Sequence, residues 1–382
     1  MSELHEPTLS LTELRPTYLE VDLECLAHNY RVLSEHVHPA RVMPILKANA
    51  YGHGLCATAK KLEQIGAPYI GVAYLEEGLR LRQEGVRMPV LVLGGIVGSQ
   101  IPLFVEHDLT LTASSVDKLR AIDACAAALG KRARVHLKID TGMERIGVHW
   151  YSAEGLLEAS LGVKHVEIEG IFTHFANADE PDVSRARLQL ERFLEVLRFY
   201  ERRSLPMPLR HAANSGAILQ LASSNLDCVR PGILFYGSSP TTELAVQLPL
   251  RQALRWVTRV VFFKVVKPGN PVSYGSQWSP ERMTRIVTLP VGYGDGYARA
   301  MSGRAEVILR GERAKVVGRI CMDQVMVDVG WGSAYNGDEV VLLGQDGTQQ
   351  IRIEELARWA GTIPHEVLTN INTRVPRVYR NA

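Results

Sequence analysis

The feature that most constrains this chain is a change of rhythm near residue 250. Before it, eight short apolar runs alternate with helical patterns. The runs are residues 42–46, 69–73, 90–93, 109–113, 135–139, 168–173, 209–212 and 228–229. Most are rich in β-branched residues or leucine, as parallel strands buried on both faces should be. Between them, 74–83 ends at Gly85, 116–129 ends at Gly130, and 183–203 is a long amphipathic stretch of Leu, Arg and Glu. Eight runs spaced by roughly 20–40 residues predict a (β/α)8 TIM-like barrel, which typically takes about 250 residues. The pattern alone leaves a doubly wound open sheet as the alternative.

After the change, the runs become short and alternating: VTRVVFFKVV, RIVTLPVG, AEVILRG, AKVVGRI, VMVDVG and EVVLLG. Turn sequences such as VKPGNP, GDGY, NGD and QDG separate them. This predicts a mainly antiparallel β domain. A helix over 353–359 and a short basic tail follow. The expected division is an N-terminal extension over 1–17, whose packing the pattern does not decide, a barrel over 18–248 and a β domain over 249–382. The boundary is expected near 240–255, in the stretch SSPTTELAVQLP. A length of 382 residues suits such a two-domain chain.

Composition excludes several classes. Lys plus Arg number 43 against 41 for Asp plus Glu, so no strong field points to nucleic acid or an anionic membrane. No stretch approaches the roughly 18–20 apolar residues of a membrane span. The N-terminal MSELHEPTLSLTEL carries acids and no apolar core, unlike a secretory signal. The five cysteines are scattered, without a CxxC pair, and predict a reducing, cytoplasmic setting. No metal site is expected.

In a barrel, chemistry gathers at the C-terminal ends of the strands. The polar residues that follow each run are therefore the candidates. The first run ends at Lys47, in KANAYGHG. A desolvated lysine has a lowered pKa and can form a Schiff base with an aldehyde. The fifth run ends in KIDTGMER, with Lys138 and Arg145. The sixth ends at His174, the seventh at His211 and Asn214-Ser215-Gly216, and the eighth at Arg230-Pro231-Gly232-Ile233. Asn-Ser-Gly and Pro-Gly-Ile beside late strands suit a phosphate cradle of N–H and hydroxyl donors.

These motifs resemble the alanine racemase family over nearly the whole chain. The match includes KANAYGHG, KIDTGMERIG, THFANAD, ANSGA, VRPGI, SYG, GYGDGY and CMDQVMVDV. The resemblance implies a homodimeric, pyridoxal-phosphate (PLP) isomerase that interconverts L- and D-alanine and supplies D-alanine for peptidoglycan. Lys47 would hold PLP and act as one acid–base group on the substrate Cα. Tyr274 of the second subunit would be the other. Arg145 would bond the PLP phenolic oxygen and the substrate carboxylate, and the Met322 N–H would bind that carboxylate across the dimer. Tyr51, Ser215, Gly232 and Ile233 would contact the phosphate. Arg230 would face the pyridine nitrogen, with His174 and His211 in a hydrogen-bond chain toward Tyr274. Tyr293 would narrow substrate access, and Lys138 would be carbamylated. One position departs from the family: a tyrosine expected near the C-terminus is His365 here, which puts one phosphate contact in doubt.

The residue types suit racemisation, because one base cannot easily reach both faces of Cα and a Lys–Tyr pair can. A phenol is a poor base at neutral pH, so Tyr274 would need neighbours that favour the phenolate. Three other functions compete. A racemase of serine, lysine or arginine would need only small changes in the access channel. A barrel-type PLP decarboxylase would have to leave the carboxylate free, against Arg145 and Met322. A non-catalytic PLP-binding barrel would have no use for Tyr274 or the β domain.

Overall fold

The computed structural model describes residues 15–241, 244 and 247–381. The chain divides into two compact units. One is Cys25–Arg251; the other joins the N-terminal segment ending at Glu24 to Gln252–Ala382.

The strands in chain order are β1 (Tyr18–Asp22), β2 (Arg41–Val42), β3 (Ile70–Val72), β4 (Val90–Val92), β5 (Leu111–Ala113), β6 (Ala133–Asp140), β7 (Val148–His149), β8 (Val166–Phe172), β9 (Leu209–His211) and β10 (Cys228–Val229). In the first unit, β2, β10, β9, β8, β6 and β5 are successive parallel neighbours, and β3 pairs with β4. Parallel bridges Ile45–Gly71 and Leu91–Thr110 join the two groups. Eight parallel strands therefore close into a ring, and the open-sheet alternative falls. Each coincides with one of the eight runs read from the sequence. The helices between them include Leu75–Gln83, Val116–Ala128 and Ser184–Arg202. Ser115 caps the second of these by accepting from the Lys118 N–H, as an N-cap should. Met43, Leu91 and Cys228 meet inside the barrel.

The second unit carries β11 (Leu254–Arg259), β12 (Phe262–Val266), β13 (Thr284–Leu289), β14 (Glu306–Leu309), β15 (Glu312–Val317), β16 (Val325–Asp328), β17 (Glu339–Asp346), β18 (Gln349–Ile351) and β19 (Arg377–Arg380). They form one sheet in the order β12-β13-β16-β15-β14-β17-β11-β1-β19, with β18 on β17. All its pairs are antiparallel except β1 with β19. Fully buried Trp256 packs edge-on against Tyr297, with ring centroids 5.7 Å apart.

Two details correct the sequence reading. Residues 18–22, assigned there to the barrel, are β1 of the β sheet, paired with β11 and β19. An isolated YLEVD strand reads the same in either sheet, and only long-range pairing places it. Of the 1–17 extension, residues 1–14 lie outside the described residues. Arg15 pairs with Asp295, and the Thr17 hydroxyl bonds Thr258 and the Pro290 carbonyl, so these join the β unit too. Within the expected boundary stretch, residues 242–243 and 245–246 also lie outside the described residues. The helix expected at 353–359 is Ile353–Ala360, and a second one, Pro364–Asn370, was missed; it carries His365.

Candidate active site

Lys47 follows the first barrel strand and opens an unusual turn. Residues 48–51 are all left-handed, with φ of 52°, 56°, 54° and 49°. For residues with a Cβ such a run is costly, and runs of this kind mark functional sites. The fold holds it from several sides. The Ala48 N–H donates to Glu77 Oε1 at 2.6 Å, while Glu77 Oε2 accepts from the Ala73 N–H at 2.8 Å. Asn49 Oδ1 accepts from the Leu55 N–H. Tyr51 lies 4.9 Å from the Tyr236 ring, whose hydroxyl donates to the Ile45 carbonyl. The turn aims Tyr51 at Gly232, where an added Cβ would sit 2.5 Å from the Tyr51 hydroxyl.

Lys47 keeps accessible surface yet is walled by protein. That desolvation, reinforced by the charge of Arg145 and opposed by Glu77, lowers its pKa. The direction is the one a nucleophilic amine needs.

The later strand ends converge on the same rim of the ring. Asp140, at the end of β6, accepts from the N–H groups of Gly142, Met143 and Arg145 and so shapes the loop bearing Arg145. Buried Lys138 places Nζ 4.5 Å from the centroid of Phe172. Burial, then Arg230, drives its pKa well down. Arg230 is also buried and donates to His211 Nδ1 at 2.8 Å, the Thr173 carbonyl at 2.7 Å, the Ala212 carbonyl at 2.9 Å and His174 Nδ1 at 3.3 Å. Burial pulls Arg230 down to about 10, still a cation at neutral pH. His174 and His211 are pushed well below the usual range, by burial first and Arg230 second, and stay neutral. Ser215 opens the helix Ser215–Gln220, and its hydroxyl oxygen accepts from the Gly232 N–H at 3.0 Å. Ile233 follows, fully buried.

A second cluster lies within the β unit. A groove of about 770 Å3 is lined by Val272, Ser273, Tyr274, Cys321, Met322 and Asp323, among others. Tyr274 is 70% exposed and sits between Ser273 and Gly275, both at positive φ. The 292–294 segment clamps the Met322 loop: the Tyr293 N–H donates to the Cys321 carbonyl and the Gly294 N–H to the Met322 carbonyl. An added Cβ at Gly292 would strike both carbonyls, at 2.2 and 2.3 Å. Tyr293 itself is partly exposed. His365 is half-buried on its own helix in this unit.

The candidates thus fall into two groups: Lys47, Tyr51, Lys138, Arg145, His174, His211, Ser215, Arg230, Gly232 and Ile233 on the barrel, and Tyr274, Tyr293 and Met322 on the β unit. Sequence reasoning missed Glu77, Asp140 and Tyr236. Asp140 had a signal, because Asp-Thr-Gly reads as a side chain capping its own loop. Glu77 had half of one, as an acid three residues into a helix; its bond to Ala48 spans 29 residues.

The alanine racemase N-terminal domain model matches residues 21–240, and the C-terminal domain model matches 253–379. An alanine racemase of Carboxydothermus hydrogenoformans is 44% identical over 96% of this chain and 100% of its own. One from Halothermothrix orenii is 41% identical over 96% and 97%. The crystal structure of alanine racemase from D-cycloserine-producing Streptomyces lavendulae superposes with a TM-score of 0.91 at 36% identity, covering 96% of this chain and 98% of that one. Two domains in the same order, matched end to end at this identity, make the chain a member of the alanine racemase family.

Proposed function

We propose that this protein interconverts L- and D-alanine with PLP held on Lys47, as a homodimer whose sites combine the barrel cluster of one subunit with Tyr274 and Met322 of the other. The observation that carries the reading is Lys47 itself: a desolvated amine at a barrel strand end, heading a left-handed turn that aims Tyr51 at Gly232.

The barrel residues fit the cofactor. The Tyr51 hydroxyl, packed against Gly232, the Ser215 hydroxyl and the nearby Ile233 backbone suit a phosphate. The hydrogen bonds described for Arg230 all run through its terminal nitrogens, which leaves its Nε–H to face a ring nitrogen. When bound, PLP supplies an electron sink that acidifies the amino acid's Cα–H.

The chain's own residues do the rest. Lys47 Nζ takes or returns the Cα proton on one face, and the lowered pKa leaves more of it neutral for that task. The Tyr274 hydroxyl serves the opposite face from the second subunit. Arg145 and the Met322 N–H hold the carboxylate, which disfavours its loss as CO2. Arg230 remains charged without giving a proton to the ring nitrogen, which restrains side reactions such as transamination. His174 and His211, both neutral, keep Arg230 in place. Tyr293 narrows the approach to the site. His365, on the helix Pro364–Asn370 of the β unit, takes the family tyrosine's place in the sequence. The five scattered cysteines, with no CxxC pair among them, suit a reducing compartment, the cytoplasm.

Incubating the protein with PLP and L-alanine in D2O tests the reading. Expected are a racemic product with deuterium at Cα and, after borohydride reduction, the cofactor on the peptide containing Lys47. Lys47→Ala should abolish turnover. Cofactor on a different lysine, CO2 release, or faster exchange of serine, lysine or arginine would each displace it.

A further inference from the structure

Behind Arg230 and His211 a line of side chains continues to residues that the reaction described above does not use. His211 Nε2 lies 2.8 Å from His136 Nδ1. His136 Nε2 in turn lies 3.8 Å from Glu169 Oε2, beyond hydrogen-bond distance, and among the described residues it makes no hydrogen bond. Both histidines are fully buried. Glu169 also accepts from the Tyr69 hydroxyl at 2.8 Å and from Thr110 Oγ1 at 3.3 Å, and Arg134 approaches it at 3.8 Å.

The direction of every proton in this line follows from one fact. A guanidinium only donates, so His211 Nδ1 must accept from Arg230. A neutral imidazole then carries its hydrogen on Nε2, which donates to His136 Nδ1. His136 therefore carries its hydrogen on Nε2, aimed at Glu169. Any protonated histidine in the line would set two donors face to face. Burial lowers the pKa of both rings, in agreement. Burial alone would raise the Glu169 carboxyl, but its contacts with His136 and Tyr69 and the charge of Arg134 outweigh this and hold it below the ordinary range, as an anion.

The backbone is built to allow this line. Val135 pairs with Ile168 but His136 pairs with Gly170, so Glu169 is an extra residue in β8. Such a bulge re-aims a side chain. Gly170 makes room for the ring: a Cβ there would lie 2.5 Å from His136 Nδ1.

We propose that Glu169 is a positioning residue for the reaction: as the anionic end of the line Glu169–His136–His211–Arg230, it polarises two neutral imidazoles and so fixes the guanidinium opposite the cofactor's ring nitrogen. The proposal rests on the reading of Arg230 given above. The Arg230–His211 and His211–His136 hydrogen bonds strengthen one another in a low-dielectric interior, and the Glu169 charge 3.8 Å from His136 Nε2 draws on that N–H electrostatically, which makes His136 a stronger acceptor at its other nitrogen.

Glu169→Gln keeps the shape and removes the charge. In holoenzyme labelled with 15N-histidine, the ring resonances of both His136 and His211 should move, the bound-cofactor absorbance should shift, and kcat should fall about tenfold with KM within about twofold. Glu169→Asp should recover part of each. Tyr69→Phe, which removes only one donor to the carboxylate, should move the same signals less. A His211 resonance that stays put in Glu169→Gln overturns the line itself. A His211 resonance that moves while the cofactor spectrum stays fixed, both in Glu169→Gln and in Arg230→Lys, overturns the placement of Arg230 and with it the catalytic part of the proposal.

Discussion

Lys138 shows how much one buried charge matters at the residue scale. Its Nζ lies over Phe172, whose ring also has the Arg230 guanidinium 5.4 Å from its centroid. Arg145 is a further cation in the surroundings, and Asp140 favours the charged amine. An ammonium there would face like charges at low dielectric. The depressed pKa instead leaves a neutral amine, the form that adds CO2 to give a carbamate and a released proton. That anion would sit among Arg145 and Arg230 and turn repulsion into attraction. Lys138→Ala should therefore lose activity, and added chloride should restore part of it by filling the anion's place. A steady-state assay with and without chloride decides, and full activity in the variant disposes of the carbamate.

At the scale of the element, the left-handed turn over 48–51 is the telling piece. KANAY follows a strand, and local preference would wind it right-handed or leave it as loop. Left-handed geometry costs about 1–2 kcal/mol per residue with a Cβ, whereas glycine adopts it freely at a cost of about 0.5–1 kcal/mol in added unfolded-state freedom. Ala48 is exposed, and its N–H bond to Glu77 survives loss of the methyl group. Ala48→Gly should thus stabilise the protein by about 0.5–1 kcal/mol, a rise in Tm of about 1 °C. In an ordinary right-handed turn the same change would destabilise. Calorimetry separates the two signs, and a lower Tm would mean that the turn carries no strain.

At the scale of the whole molecule, the division of candidates between two units sets the question of where a complete site is made. The groove holding Tyr274 and Met322 belongs to the β unit, and Lys47 belongs to the barrel. With sites shared across a dimer, mixing inactive Lys47→Ala and Tyr274→Phe proteins should regain about a quarter of wild-type activity, because random exchange makes about half the dimers mixed and each holds one complete site. Mass-verified mixed dimers that remain inactive would refute the shared site.

The sequence by itself determined the eight barrel strands, the switch to an antiparallel sheet and most of the barrel rim. The reason is physical: a buried strand writes its burial into consecutive residues, and a barrel puts its chemistry where each run stops. Lys47, Lys138, His174, His211 and Arg230 were legible on that ground. Only the tertiary structure decided the rest. Strand β1 joined the far sheet because pairing with β11 and β19 spans more than 200 residues of chain, and a five-residue strand carries no mark of its partner. Glu77 holds Ala48, and Glu169 reaches His136, through contacts that depend on a left-handed turn and a bulge. Neither residue type has a local preference for such a place. The packed barrel imposes it, and the proton order from Glu169 to Arg230 becomes readable only when the distances are known.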